Sequence, residues 1–208
     1  METRAALVRS ARQVFERDGY LDARISDITA AAGAATGSFY TYFDGKEAIF
    51  SAVLDELDEE MLHPRVQVSD EVAGEAGGDP VRVIEAANRA YLTAYRRNAG
   101  LMRVLEQVAH TNDTLNRRRQ ERSRAFLERN SRAIRRLQKQ GLVDPDLDPR
   151  LAARALSGMM SQVAYAVFVQ GERVPFEKLV ATLNHLWVNA LGLKTETVGA
   201  RRASPSSA

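Results

Sequence analysis

The chain has 208 residues, of which 45% are hydrophobic and 27% are charged, and its formal net charge at pH 7 is +2. It contains no cysteine, which excludes disulfide bonds, thiolate nucleophiles and cysteine-ligated zinc. No apolar run approaches the ~18 residues of a membrane-spanning helix, and the N-terminus lacks the apolar core of a signal peptide. We therefore expect a globular, cytoplasmic protein.

The N-terminal part of the chain is predicted to form three helices. An amphipathic pattern over residues 3–19 indicates a helix that ends at Gly19. Two short helices come next, over residues 26–32 and 36–42, and Gly33 between them suits a turn with positive φ. Two short helices joined by such a turn form a helix-turn-helix unit, whose second helix enters the major groove of DNA.

Aromatic residues predict the orientation of the second short helix. Phe39 and Phe43 are four residues apart and face the core together. The remaining side chains are then turned toward solvent or DNA, and they are those of Thr36, Gly37, Ser38, Thr41 and Tyr42.

The segment from Ile28 to Glu47 resembles the TetR family of bacterial transcriptional regulators. It contains an isoleucine and alanines after an acidic residue, a glycine turn, the run Ser-Phe-Tyr, and Lys-Glu at the start of the next helix. One departure is that the family usually begins the first short helix on Thr or Ser, whereas this chain has Arg24 followed by Ile25. Either Arg24 replaces the missing phosphate contact as a cation, or Ser26 caps the helix.

The resemblance implies that the second short helix and its flanks contact DNA. Short side chains there can approach base edges, and Tyr40, Tyr42 and Lys46 match positions that contact phosphates in the family. Residues 1–47 contain six lysines and arginines against seven acidic residues, so DNA contacts must also use hydroxyls and backbone amides. The alternative is that the hydroxyls cap turns and the tyrosines pack. The candidate DNA-binding residues are Arg24, Ser26, Ala35, Thr36, Gly37, Ser38, Tyr40, Thr41, Tyr42 and Lys46.

The rest of the chain is also predicted to be helical. A fourth helix begins near Gly45, and a polar, glycine-rich loop over residues 69–79 separates it from the C-terminal helices. These helices are predicted over residues 80–98, 101–108, 112–140, 149–170 and 175–191.

About nine helices and no strand predict an all-α fold similar to the TetR architecture. Residues 1–47 would be the helix-turn-helix DNA-binding domain, and residues 48–193 the effector-binding and dimerisation domain. Residues 194–208 are small and polar and are predicted to be a disordered tail.

The resemblance implies a small-molecule effector in the larger domain. Such sites are apolar cavities with a few polar groups, and methionines suit a pocket of loose shape. Each candidate is also an ordinary core residue by its chemistry. The candidate effector-binding residues are Tyr91, Tyr95, Met102, Leu105, Phe126, Met159, Met160, Val163 and Phe168.

The last two predicted helices carry more apolar surface than a single helical layer buries. A symmetric four-helix interface in a homodimer would bury it, and packing within one chain is the alternative. A symmetric dimer would need a palindromic operator with half-sites about 34 to 36 Å apart. The candidate interface residues are Leu156, Val167, Leu179, Leu183, Leu186 and Trp187.

Residues 117–139 are strongly basic, with ten lysines and arginines against Glu121 and Glu128. One interpretation is a site for an anionic effector. The other interpretation, which the pattern favours, is a solvated basic face that pairs with the acidic run at residues 55–60.

The pattern as a whole predicts a regulator rather than an enzyme. The three histidines are scattered and no metal-binding or phosphate-binding motif is present, so we expect no metal site, no cofactor and no catalytic centre. We expect a repressor that binds double-stranded operator DNA as a homodimer and is released by a small apolar or amphipathic effector. The alternatives are an activator of the same family and a helical adaptor that binds protein; an all-helical enzyme would need polar residues whose loss abolishes turnover.

Overall fold

A computed structural model describes residues 2–62, 79–109 and 112–193, and the regular structure within these ranges is entirely helical. The predicted loop over residues 69–79 lies, apart from Asp79, outside the described residues, as does the predicted tail over residues 194–208. The described helices are α1 (Glu2–Asp22), α2 (Ile25–Ala31), α3 (Thr36–Tyr40), α4 (Lys46–Leu62), α5 (Pro80–Arg97), α6 (Ala99–Ala109), α7 (Asp113–Lys139), α8 (Pro149–Phe168) and α9 (Phe176–Ala190). The nine helices of the described ranges confirm the predicted all-α fold.

Helix ends obey local sequence rules. Asp79 and Asp148 each precede a proline and cap the next helix, because their carboxylates accept hydrogen bonds from Val81 N (2.9 Å) and Leu151 N (2.7 Å). Gly141 comes directly after α7 and has a φ of 72°. Glycine has no Cβ, so it adopts this backbone conformation at little cost in free energy. The predicted starts of α5 and α8 are confirmed.

The first helical stretch of α1 ends at Gly19, as predicted, and a short second stretch follows. Gly19 is non-helical, with φ 80° and ψ 175°, and the chain resumes helical hydrogen bonding as far as Asp22. The kink places Tyr20 beside Phe15 and Phe50, with ring centroids 4.9 to 5.9 Å apart. These three rings form an aromatic core that holds α1 against the start of α4.

Helix α4 lies between the N-terminal helices and the rest of the protein. It packs against α1, and it also contacts α5 and α7. Helix α8 lies along α7, and α9 packs on α5. Within the described ranges no helix is long and apolar enough to span a lipid bilayer.

Candidate DNA-binding surface and ligand cavity

The start of α2 distinguishes the two interpretations of its N-terminus. Arg24 occupies the N-cap position with extended backbone angles, and its side chain makes no capping hydrogen bond. Ser26 lies inside the first turn, where its hydroxyl is 3.4 Å from Asp27 Oδ1. Ser26 is therefore not the cap, and both Arg24 and Ser26 are exposed.

Helix α3 has the predicted orientation. Phe39 and Phe43 are 0% and 5% exposed, with ring centroids 5.7 Å apart, so they anchor the helix in the core. The opposite side of α3 consequently faces outward, and Tyr40 and Tyr42 are 57% and 40% exposed. The helix ends at Tyr40, two residues earlier than predicted, so Thr41 and Tyr42 lie in the turn after it.

The candidate DNA-binding residues share one connected segment and differ in exposure. Ser38 and Lys46 are half-buried. The exposed members are Arg24, Ser26, Ala35, Thr36, Gly37, Tyr40, Thr41 and Tyr42.

Lys46 has internal partners that its sequence position does not suggest. Its ammonium donates hydrogen bonds to the carbonyl oxygens of Leu21 (2.9 Å) and Ala23 (3.1 Å) and lies 4.9 Å from the ring centroid of Tyr20. These contacts satisfy carbonyls at the C-terminal end of α1 and hold α4 to it. An ammonium has three N–H groups, so after these two bonds one N–H can still donate to an acceptor such as a DNA phosphate.

Arg4 is a cation near the helix-turn-helix unit that the sequence reasoning missed. It is exposed on α1, and its guanidinium carbon lies 5.2 Å from the ring centroid of Phe43. The sequence contains no local sign of this contact, because it joins residues that are distant along the chain.

A large cavity lies among α4 to α9, with a volume of about 1050 Å³. This volume is at the upper end of the range for small-molecule sites. Of the candidate effector-binding residues, five line the cavity, namely Tyr91, Tyr95, Met102, Phe126 and Met160.

The other four candidates do not line the cavity. Leu105 is 1% exposed and packs in the core, and Phe168 lies between the rings of Tyr95 and Phe176, with centroids 6.2 and 6.5 Å away. Met159 and Val163 are half-buried and pack against the hydrophobic core. The residues of α8 that do line the cavity are Arg154, Ser157, Gly158, Met160, Ser161, Gln162 and Tyr165.

The cavity wall is more basic than predicted. The described lining residues include one carboxylate, that of Glu106, against the guanidinium groups of Arg119, Arg122, Arg124, Arg129 and Arg154. Four of these arginines belong to α7, so the strongly basic segment 117–139 is not only a solvated face. The same segment also forms ion pairs with the acidic run of α4, since Arg118 contacts both Asp55 and Asp58.

Two cavity arginines are bonded to α4. Arg122 is 9% exposed, and its Nη1 lies 3.4 Å from Asp58 Oδ1. Arg129 Nη1 donates to the carbonyl oxygen of Leu62 at 2.7 Å, and burial lowers the pKa of its guanidinium. These bonds connect the wall of the cavity to the C-terminal half of α4.

Tyr91 and Tyr95 of the cavity wall are neutral at physiological pH. Burial raises the pKa of Tyr91 to about 12, although the charge of Arg122 acts in the opposite direction. Burial also raises the pKa of Tyr95. The two phenols therefore add hydrogen-bonding groups to the wall without adding negative charge.

Most of the candidate dimer residues are buried within one chain, which corrects that part of the prediction. Helix α9 packs on α5, and Asn88 Nδ2 donates to Asn184 Oδ1 across this contact at 2.8 Å. Leu186 is 45% exposed and Val167 is half-buried, so these two remain available to a partner. The residues buried in the single chain, at 2% to 7% exposure, are Leu156, Leu179, Leu183 and Trp187.

No group of three or more histidine or acidic side chains in the described ranges is arranged to hold a metal ion. The fold and these two sites define an all-helical DNA-binding protein, in which an N-terminal helix-turn-helix unit is joined to a larger helical part that encloses a cavity.

Comparisons with known proteins agree with this class. The profile for "Bacterial regulatory proteins, tetR family" matches residues 7–53, and the profile for "Tetracyclin repressor-like, C-terminal domain" matches residues 77–165. The chain belongs to the TetR family of bacterial transcriptional regulators. Its class is a helix-turn-helix regulator of transcription and not an enzyme.

Individual relatives are similar over different lengths. The transcriptional regulator EthR of Mycolicibacterium smegmatis is 21% identical over 189 residues, covering 90% of this chain and 85% of EthR. The transcriptional repressor DhaR of Mycobacterium sp. strain GP1 is 46% identical over 54 residues, covering 26% of this chain and 27% of DhaR. The structure of SmeT, the repressor of a multidrug efflux pump of Stenotrophomonas maltophilia, has a TM-score of 0.72 at 19% identity and covers 99% of this chain and 98% of SmeT.

Proposed function

We propose that this TetR-family protein is a ligand-responsive repressor that binds a palindromic operator as a homodimer and leaves it when a small molecule enters the cavity. One observation carries the proposal: α4 touches the N-terminal helices at one end and the cavity at the other. The relatives DhaR and SmeT are named as repressors, which supports repression as the proposed activity.

The contacts of α4 supply a physical route between the two sites. At its N-terminal end, Lys46 bonds to the end of α1 through the carbonyls of Leu21 and Ala23. At its C-terminal end, Met61 lines the cavity and Asp58 contacts Arg122 of the cavity wall. A ligand that repositions the wall would therefore shift α4, and with it the helix-turn-helix unit.

The response would be a shift of population between two conformations. The effector favours the released conformation only if it binds that conformation more tightly, by about 1 to 3 kcal/mol in typical cases. Equal affinity of the effector for the free protein and for its complex with operator DNA would contradict this mechanism.

The proposed DNA contacts use the exposed side of α3 and its flanks. Thr36, Gly37 and Thr41 are small enough for close approach to base edges, while Tyr40 and Tyr42 are exposed beside them and suit phosphates. Two such units in a symmetric dimer would read two half-sites about one helical turn apart.

The proposed dimer interface uses the outward faces of α8 and α9. Met159, Val163 and Val167 of α8 pack against the hydrophobic core but keep part of their surface exposed, and Leu186 of α9 is exposed. A second chain packed here would remove this apolar surface from water.

The first experiment is a DNA-binding titration at several salt concentrations, with DNA from upstream of the protein's own gene and of adjacent genes. We expect specific binding that weakens as salt increases and is lost in Tyr42→Ala/Lys46→Ala. Tyr42→Ala alone separates DNA contact from folding, because Tyr42 is 40% exposed, and Lys178→Ala on the exposed side of α9 is the control. No specific binding by the wild type would favour the adaptor instead.

Operator release is then tested with a panel of apolar and amphipathic compounds added to the protein–DNA complex. Release by one of them supports a repressor, whereas tighter DNA binding on ligand addition would indicate the activator.

A further inference from the structure

Two buried N–H groups in the cavity wall have no hydrogen-bond acceptor among the described residues. They are Nε of Arg119 on α7 and Nε1 of Trp187 on α9. Trp187 is 6% exposed as a residue, and its indole nitrogen is itself buried from water. Buried donors of this kind are rare in folded proteins. Both are covered by neighbouring protein atoms, so a ligand in the cavity reaches them only after the wall shifts.

The guanidinium groups of the wall have unused donor capacity as well. Arg119 Nη1 lies 3.5 Å from Glu106 Oε2, and Arg122 Nη1 lies 3.4 Å from Asp58 Oδ1. Both separations are long for charge-assisted hydrogen bonds, which are usually about 2.7 to 2.9 Å. A guanidinium has five N–H groups arranged for two-point contact with a carboxylate or phosphate, and these partners use few of them.

The charges of the wall favour an anion. Five arginines against one glutamate line the cavity within the described residues. Arg122 is nearly buried, so its attraction for an anion in the cavity is screened less by water and salt than that of an exposed arginine.

The remainder of the wall is apolar and aromatic, which specifies the rest of the ligand. The rings of Tyr91 and Phe126 meet edge to face with centroids 5.5 Å apart, and Met102, Ile134 and Met160 extend this surface. A ligand that fills about 1050 Å³ beside these residues has an apolar body.

We propose that the effector is an amphipathic anion, with an apolar body and a carboxylate or phosphate headgroup bound by Arg119 and Arg122. This inference rests on the proposed function, because it names the ligand class of the same cavity. Arg122 also suggests how binding is transmitted: a ligand oxygen competes with Asp58 of α4 for its guanidinium. The headgroup thus weakens one attachment of α4 to the cavity wall.

The test is direct ligand binding to the full chain without DNA. Trp187 is the only tryptophan of the sequence and lines the cavity, so its fluorescence reports occupancy of this site. The probes are decanoate, decyl phosphate and decanol, which share one alkyl tail and differ in the headgroup. We expect at least one of the two anions to bind about tenfold more tightly than decanol.

Arg119→Gln tests the assigned headgroup partner, and Arg132→Gln is its matched control. Arg132 is on the same helix, is 66% exposed at its side chain and does not line the cavity, and the change in net charge is the same. We expect Arg119→Gln to reduce anion affinity about tenfold and to leave decanol binding unchanged, while Arg132→Gln behaves like the wild type. The side chain of Arg119 is 37% exposed, so we expect Arg119→Gln to unfold at the wild-type temperature.

Three results would overturn the inference. They are decanol binding as tightly as both anions, equal losses of anion affinity in Arg119→Gln and Arg132→Gln, and no binding of either anion below its micelle concentration. Comparison of the two anions shows which headgroup fits. Because DNA is absent, failure here leaves operator release by a neutral ligand intact, and anion binding without operator release rejects the proposed function alone.

Discussion

Arg12 on α1 donates a hydrogen bond to Asn98 at the corner between α5 and α6, with Nη2 and Oδ1 2.8 Å apart. Asn98 is fully buried, and its amide group also donates to Glu60 Oε2 at 2.9 Å and to the carbonyl oxygen of Ala94 at 2.8 Å. One side chain therefore connects α1, the end of α4 and the corner beside the cavity helices. Helix α4 itself is one connection between the cavity and the helix-turn-helix unit, and this junction is a second.

Arg12→Gln is predicted to weaken this junction. The loss of a partly buried, charge-assisted hydrogen bond should lower the free energy of unfolding by about 1 kcal/mol, measured by urea denaturation. It should also reduce the effect of effector on operator affinity, because α1 is then less firmly tied to the corner. Arg9→Gln, at an exposed position on the same helix, is the control. Unchanged stability and coupling in Arg12→Gln would show that Asn98 is held by its other partners.

The stability of this junction is predicted to depend on pH. Burial raises the pKa of Glu60, but the hydrogen bond from Asn98 and the charges of Arg97 and Arg12 outweigh it and hold the pKa below its ordinary value of 4.5. A lowered pKa in the folded state means that the ionised carboxylate stabilises the fold. That contribution is complete above the pKa of the unfolded chain and is lost as the pH falls through the lowered folded value.

Glu60→Gln should therefore be less stable than the wild type at pH 7, and the difference should shrink as the pH falls below about 4.5. Urea denaturation at intervals between about pH 7 and pH 3 measures this difference. Glu59→Gln, exposed on the same helix, should show no comparable pH-dependent difference. A difference that stays constant across the range would contradict the assigned role of the carboxylate.

Lys46→Gln is predicted to act on both folding and DNA binding. Loss of the bonds to Leu21 and Ala23 should lower the free energy of unfolding by about 1 kcal/mol, allowing for partial exposure. If the third N–H also meets a phosphate, the slope of log affinity against log salt should fall by about one unit per subunit. Lys178→Gln controls for net charge. An unchanged slope with lowered stability would mean that Lys46 serves only to join α1 to α4.

Asp58→Asn is predicted to release Arg122 to the cavity. Removing the competing carboxylate should raise the affinity of decanoate or decyl phosphate several-fold in the Trp187 fluorescence assay, because Arg122 then has fewer internal acceptors. Stability should fall by about 1 kcal/mol, since Asp58 also contacts Arg118. Glu56→Gln, exposed on the same helix, is the control. Weaker anion binding in Asp58→Asn would argue that the contact with Asp58 positions Arg122 for the ligand instead of competing with it.

Leu186→Glu is predicted to dissociate the homodimer. A charge in an apolar interface is costly to bury, so the variant should shift to the monomer mass in sedimentation or light-scattering measurements. Leu142→Glu is a matched control, because Leu142 is 44% exposed against 45% for Leu186 and lies in the turn after α7. If the Leu186→Glu protein keeps the dimer mass of the wild type, the interface lies elsewhere.

Sequence reasoning succeeded where short-range rules operate. The aromatic pair Phe39 and Phe43 predicted which side of α3 is buried, and the Asp-Pro pairs predicted the starts of α5 and α8. In each case the interaction spans at most one or two helical turns, so the sequence pattern contains the necessary information.

Sequence reasoning failed where the surroundings of a side chain depend on helices that are distant along the chain. Met159 and Val163 are apolar residues on the correct helix, but they pack against the hydrophobic core and do not line the cavity. Trp187 has the chemistry of an interface residue, yet it is buried in its own chain and lines the cavity. Apolar side chains satisfy a core, a cavity wall or an interface equally well, so composition does not distinguish these positions.

By itself, the sequence determined that this protein is an all-helical TetR-family regulator with its helix-turn-helix unit near the N-terminus. Those features result from glycine turns, caps and aromatic spacing, which act locally. Only the tertiary structure decided that the arginines of α7 line a cavity, that Lys46 bonds to the end of α1, and that Arg12, Asn98 and Glu60 form one junction. The reason is physical: each of these contacts is made by helices that packing brings together, and a helical pattern specifies its own faces but not its partners.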